Sequence, residues 1–176
     1  MTDAPWDTVL RRTLPCLPAA LALACQGTNK AAPAATARDT AAKAATFVAA
    51  NWRPPTEAEI PNDSLGAAIR RGLYLLRFTP ESLPAYATSS LRCTSCHQND
   101  GTKASAAPLT GAHARYPKYM TRSGAVIGLA DRVNYCFTRS LAGNVLPPES
   151  RQMNDILAYL AFISHDVPVG RNLAGA

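Results

Sequence analysis

A chain of 176 residues with 18 Lys+Arg against 12 Asp+Glu, a formal charge of +6 and five cysteines is of a size for one domain with a single core. Asp3 and Asp7 balance Arg11 and Arg12, so the excess charge lies beyond the amino-terminal segment. That segment reads as an export signal, which excludes nucleic acid as a partner and leaves small anions or an acidic protein surface to answer the basic charge.

Arg11 and Arg12 precede an uncharged stretch from Thr13 to Cys25 that is rich in Leu and Ala. It is too short for a membrane anchor of about 20 residues and suits the apolar region of a signal peptide despite Pro15 and Pro18. Residues 1–24 are therefore expected to be a signal peptide, and the mature protein to reside in the periplasm. The order Leu21-Ala22-Leu23-Ala24-Cys25 allows cleavage after small residues or before a Cys25 that then carries lipid. The imperfect lipoprotein box tips the reading slightly toward a lipid tether to the membrane. Residues 25–61 are read as a tether and an amino-terminal arm. Up to Thr46 the segment is mostly Ala, Thr, Pro, Lys and Arg and cannot bury a core, whereas Phe47, Trp52, Pro54, Pro55 and Pro61 suggest an extended arm over the domain.

Residues 62–170 are expected to form the folded domain, with 171–176 as a tail. Asp63 or Ser64 can cap a helix whose Leu65, Ile69, Leu73 and Leu76 share one face. Gly72 within it costs helix stability, so its place there predicts close approach of another helix or of a cofactor. Next comes Cys93-Thr94-Ser95-Cys96-His97, two thiols three residues apart followed at once by an imidazole, which is what covalent attachment of haem c requires. In that reading Cys93 and Cys96 form thioethers and His97 supplies the proximal nitrogen to iron. Zinc lacks a second CxxC or HxxxH pair, and a thioredoxin-type disulfide lacks strands around the motif.

His97 to Ile127 reads mostly as loop. A second helix is expected from about Leu129 to Leu141 with Gly143 as its stop. A third follows Pro147 and Pro148, with Glu149 in its first turn and Met153, Ile156, Leu157, Leu160 and Ile163 as the apolar stripe. The result is an all-α, cytochrome c-like single-haem domain whose first and last helices cross.

The sixth iron ligand is open among His113, Lys118, Met120, Cys136, Met153 and His165. Met153 belongs to the core stripe, His113 and His165 read as solvent-facing or satisfied by backbone, and Met120 lies in a loop as a credible ligand. Arg132, Cys136 and Ser140 fall at i, i+4 and i+8, one stripe of the second helix. A guanidinium one turn from a thiol favours thiolate, the form that binds iron. A buried structural cysteine beside a solvated arginine fits the same pattern equally well.

The runs Ile60-Pro61, Ile69-Arg70-Arg71-Gly72, Leu91-Arg92-Cys93-Thr94-Ser95-Cys96-His97 and Pro108-Leu109-Thr110-Gly111 resemble the first haem domain of bacterial thiosulfate dehydrogenases. The resemblance continues through Arg115-Tyr116-Pro117, Arg122-Ser123-Gly124, Asp131 to Phe137, Arg139-Ser140 and Pro168-Val169-Gly170. More distantly the chain is similar to sulfur-oxidation cytochromes with histidine/cysteine haem ligation. The resemblance implies that Cys136 is the axial thiolate, the loop residue Met120 staying the alternative read from the residues, and that Arg122, Arg132, Cys136 and Ser140 make the catalytic site around a sulfur oxyanion. It implies oxidation of two thiosulfates to tetrathionate, each losing one electron. An anionic thiolate favours ferric iron, so the potential should lie below that of a methionine-ligated carrier. The enzymes of the family usually carry a second haem domain, and this sequence has a single CxxCH. Electrons are therefore expected to leave through a partner cytochrome or respiratory complex. The alternative from another class is a noncatalytic electron-carrying subunit of a membrane respiratory complex, tethered through Cys25.

Overall fold

The structure is a computed structural model that describes residues 52–173 and the backbone of Thr46–Phe47. The expected signal peptide, Cys16, Cys25 and most of the tether lie outside the described residues. Helix α1 spans Ser64–Arg77. Asp63 is the cap, its carboxylate accepting from the Gly66 N–H at 2.7 Å, as a short acceptor at this position should. The buried stripe runs through Gly66, Ile69, Leu73 and Leu76 at spacings of three, four and three. Leu65, expected on that stripe, sits one position round the helix and is 56% exposed. Gly66 replaces it because a Cβ there would fall 1.7 Å from the Pro61 carbonyl oxygen.

Helix α6, Arg151–Phe162, crosses α1. Ser150 caps it by accepting from the Met153 N–H at 3.2 Å, so Glu149 lies before the cap instead of in the first turn. Met153, Ile156, Tyr159, Leu160 and Ile163 are buried and Leu157 half-buried. At the crossing a Cβ on Gly72 would stand 2.0 Å from the Asp155 carbonyl oxygen. The close approach foreseen for Gly72 is therefore that of a helix, not of a cofactor. Beside it the buried Asp155 carboxylate accepts from Arg71 Nε and Nη2 at 2.8 and 2.7 Å, a forked pairing that fixes the two helices in register.

Short helices α2 (Thr79–Ser82), α3 (Cys93–Cys96) and α4 (Ala112–Arg115) follow α1. The region expected as loop also holds an antiparallel hairpin, β2 (Lys118–Met120) with β3 (Ala125–Ile127), in which Tyr119 faces Val126. Strands of three residues are too short for alternation to reveal them. The expected second helix is α5, Leu129–Tyr135, running into a π-turn at Cys136–Ser140 that Leu141 N–H closes on the Cys136 carbonyl at 2.9 Å. Its left-handed stop is Ala142, at φ 51°. Gly143 is needed for another reason: a Cβ there would meet the Tyr86 carbonyl oxygen at 1.9 Å. The Thr88 and Ser89 N–H groups donate to the Leu141 carbonyl at 3.1 and 3.0 Å, which ties the segment before α3 to the end of the π-turn. Buried Asn134 donates to the Leu146 carbonyl at 3.0 Å and accepts from the Leu146 N–H at 2.9 Å.

The arm and tail meet on the domain. Trp52 donates its indole N–H to the His165 carbonyl at 2.8 Å and packs against Ala114, Val167 and Leu173. Strand β4 (Asn172–Leu173) pairs in parallel with β1 (Thr46–Phe47). The all-α, cytochrome c-like fold expected from the sequence is observed as a mostly helical domain, with two two-stranded ribbons added.

Candidate functional site

Helix α3 is a single turn that presents Cys93, Cys96 and His97 together. The buried Thr79 hydroxyl accepts from the Cys93 N–H at 3.1 Å and lies 3.3 Å from Cys93 Sγ. Burial pushes the Cys93 thiol up from its ordinary value, against the thiolate that a zinc site would want. His97 Nδ1 lies 2.5 Å from the Ala107 carbonyl oxygen. A carbonyl only accepts, so Nδ1 carries the proton and Nε2 keeps a free lone pair for a metal. Ala107 itself is left-handed, at φ 44°. The loop after His97 is held by the Asp100 carboxylate, which accepts from Arg77 Nε and Nη2 at 3.0 and 2.7 Å. The Asp100 carbonyl accepts from the Tyr159 hydroxyl at 2.9 Å.

Above this turn opens a narrow apolar cleft. Leu76, Leu109, Val133, Leu141, Ile156 and Leu160 give it an apolar wall, and Cys93, Cys96, His97 and Cys136 all reach into it. The residues fit haem c: two thiols at thioether spacing, an imidazole with Nε2 free, an apolar slot and a second soft donor in the same slot.

Cys136 also borders a second, open pocket with about 1000 Å³ of empty space. The hairpin contributes Met120, Arg122 and Ser123 and the α5–π-turn segment contributes Arg132, Tyr135, Arg139 and Ser140. Arg132 Nη1 is 3.5 Å from Cys136 Sγ. Four candidates picked from the sequence, Arg122, Arg132, Cys136 and Ser140, thus line one cavity together with Met120. No Asp, Glu or His is among its lining residues. Lys118 stands nearby, its ammonium lowered by burial and by the Arg115 and Arg132 charges. His113 and His165 are exposed and Met153 is buried in the core. Sequence reasoning named Arg139 only in the Arg139-Ser140 run of the resemblance and missed it as a site residue. Its signal was the i, i+4 spacing to Tyr135, over whose ring its guanidinium lies at 5.3 Å. The Thr79 and Ala107 contacts carried no sequence signal, since both are made across loops.

A helical domain built round a Cys-x-x-Cys-His turn that opens into an apolar cleft is a cytochrome c domain, and such a domain implies covalently bound haem c. Residues 85–169 match the family described as SoxA/TsdA, cytochrome c domain. The chain is 40% identical over 122 residues to a thiosulfate dehydrogenase of Psychrobacter arcticus, a match covering 69% of this chain and 37% of that protein. It is 40% identical over 125 residues to the thiosulfate dehydrogenase of Allochromatium vinosum, covering 69% and 46%. Among solved structures it is similar to the thiosulfate dehydrogenase TsdBA of Marichromatium purpuratum, with a TM-score of 0.66, 25% identity and coverage of 70% of this chain and 28% of that one. The cytochrome c domain of this chain belongs to the SoxA/TsdA family, alongside the thiosulfate dehydrogenases. The chain spans less than half the length of these relatives.

Proposed function

We propose that this protein is an exported monohaem cytochrome c, acting in the periplasm in electron transfer linked to sulfur oxyanions, and that it oxidises thiosulfate to tetrathionate beside Cys136. The observation that carries the reading is one pocket lined by three arginines, Arg122, Arg132 and Arg139, and by Cys136, with Arg132 Nη1 3.5 Å from the Cys136 sulfur and no carboxylate in the lining. In this reading Cys93 and Cys96 would hold haem c by thioethers, and His97 Nε2 and Cys136 Sγ would be the donors to its iron. Bound there, the haem accepts and passes on single electrons.

The remaining work falls to the chain. Arg122 and Arg132 bind oxyanion oxygens through forked N–H pairs, and the Ser140 hydroxyl adds a donor. Two thiosulfates each give up one electron and one S–S bond forms, with no proton moved. The absence of any lining carboxylate or imidazole suits a coupling that needs neither a general acid nor a base. Placing two dianions together needs cations, and the pocket lining supplies them. The electrons leave to a partner cytochrome or respiratory complex, with a lipid on Cys25 keeping the protein at the membrane.

The test is thiosulfate-dependent ferricyanide reduction by the purified holoprotein, with tetrathionate measured as product. Loss of one charge-assisted contact of about 1.5–3 kcal/mol should lower kcat/KM in Arg132→Ala about 10- to 150-fold. Cys136→Met should abolish turnover and raise the potential. A wild-type protein that exchanges electrons with other cytochromes yet forms no tetrathionate would refute the enzymatic reading and leave a carrier.

A further inference from the structure

Joining two thiosulfates brings four negative charges together before two electrons leave, so the coupling needs two anion subsites side by side. The residues round Cys136 fall into two groups that match this need. Cys136 and Ser140 border both the apolar cleft and the open pocket, whereas Tyr135 and Arg139 line the pocket alone. Arg132 goes with the first group, because its Nη1 lies 3.5 Å from the Cys136 sulfur.

Arg139 is placed differently. Its guanidinium lies over the Tyr135 ring, 5.3 Å from the ring centroid, and it joins no ion pair among the described residues. Tyr135 and Arg139 each stand one position before Cys136 and Ser140, about 100° back round a regular helix. Arg139 nevertheless reaches the same pocket, from within the π-turn at Cys136–Ser140. A guanidinium held over an aromatic face is attracted to it without using its N–H donors, and those donors match the oxygens of an oxyanion bidentately.

We infer that Arg139, held over the Tyr135 ring, binds the second sulfur oxyanion, while Arg132 and Ser140 keep the first at Cys136. Tyr135 is then a positioning residue that acts through Arg139. The inference rests on the sulfur-oxyanion reading above and divides its pocket into an inner subsite at the sulfur and an outer one at Arg139.

The experiment is isothermal titration calorimetry of the ferric holoprotein with tetrathionate and, separately, with sulfate. Tetrathionate carries a sulfonate at each end and spans both subsites, and ferric protein has no electron with which to reduce it. Sulfate needs only one subsite. Arg139→Gln should bind tetrathionate about 10- to 150-fold more weakly and keep its affinity for sulfate at the inner subsite. Tyr135→Leu should lose about two- to fivefold for tetrathionate, and Tyr135→Phe, which keeps the ring, should recover most of that loss. Unchanged tetrathionate affinity in Arg139→Gln overturns the inference, and equal losses for the two anions overturn it in favour of one shared site. A Tyr135→Phe protein as weak as Tyr135→Leu removes the positioning role of the ring. Should Tyr135→Leu yield no holoprotein, Arg139→Gln, at an exposed position, decides alone. Wild-type protein that binds neither anion would refute the sulfur-oxyanion reading itself and the inference with it, whereas wild type that forms tetrathionate beside an unaffected Arg139→Gln would refute the inference only.

Discussion

Asn134→Ala should destabilise the domain more than its single side chain suggests, because the amide closes a two-bond clamp on a backbone that water does not reach. Asn134 both donates to and accepts from Leu146, at 3.0 and 2.9 Å, and Leu146 is 0% exposed. Removing the amide orphans one buried N–H and one buried C=O, each costing about 1–3 kcal/mol. The expected loss is about 2–6 kcal/mol, within reach of a typical domain's total stability. For about 120 folded residues this lowers the thermal midpoint by about 8–24 °C. Far-UV circular dichroism of the holoprotein measures the midpoint, and exchange of the Leu146 amide measures the local effect. A fall below about 4 °C, with the Leu146 amide still protected, would refute the reasoning.

Two further substitutions probe what sequence reasoning reached and what it did not. Gly72→Ala should destabilise in spite of the gain of about 1 kcal/mol in helix propensity, since the new Cβ would sit 2.0 Å from the Asp155 carbonyl, an atom that cannot swing away. Overpacking of that kind costs about 1–3 kcal/mol or more, and a urea midpoint at or above that of wild type would contradict it. Ala107→Val places a β-branched residue at φ 44°, a strain of about 1–3 kcal/mol, and turns the carbonyl off His97 Nδ1. With His97 holding iron as proposed, the imidazole would then donate less to it, so a potentiometric titration should give a raised midpoint potential; an unchanged one would show that the contact is not functional.

Legibility followed the range of the interaction. The CxxCH turn is local chemistry written in five consecutive residues, and α1 and α6 were legible because their buried faces repeat with the helical period. The Leu65 error shows the limit of that reasoning: a glycine buried against the Pro61 carbonyl counts as apolar surface, and a pattern drawn from large side chains passes over it. Glu149 fails for a related reason, since Ser150, whose hydroxyl accepts from the Met153 N–H, outcompetes a residue read as first-turn acid. The hairpin was hidden by strands three residues long, although it delivers Met120 and Arg122 to the Cys136 pocket.

The π-turn carries the least legible part of the site and the part on which the proposed chemistry leans most. An ideal helix places Arg132, Cys136 and Ser140 along one drifting stripe, 40° further round at each step of four. Widening the helix at Cys136–Ser140 changes that phase, and the pocket is lined by both Arg139 and Ser140 as well as by Arg132 and Cys136. The widened turn could open its hydrogen-bond ladder only if it were held from outside, and the structure shows two such holds. Thr88 and Ser89 donate to the Leu141 carbonyl at the turn's end, and Asn134 grips Leu146 just before its start. The first hold also joins the turn to the segment leading into α3, so Cys136 is placed relative to Cys93 by backbone bonds as well as by packing in the cleft. Spacing along one helix could suggest which residues share a face. Only bonds between segments some fifty residues apart, such as Thr88 to Leu141, determine what that face looks at.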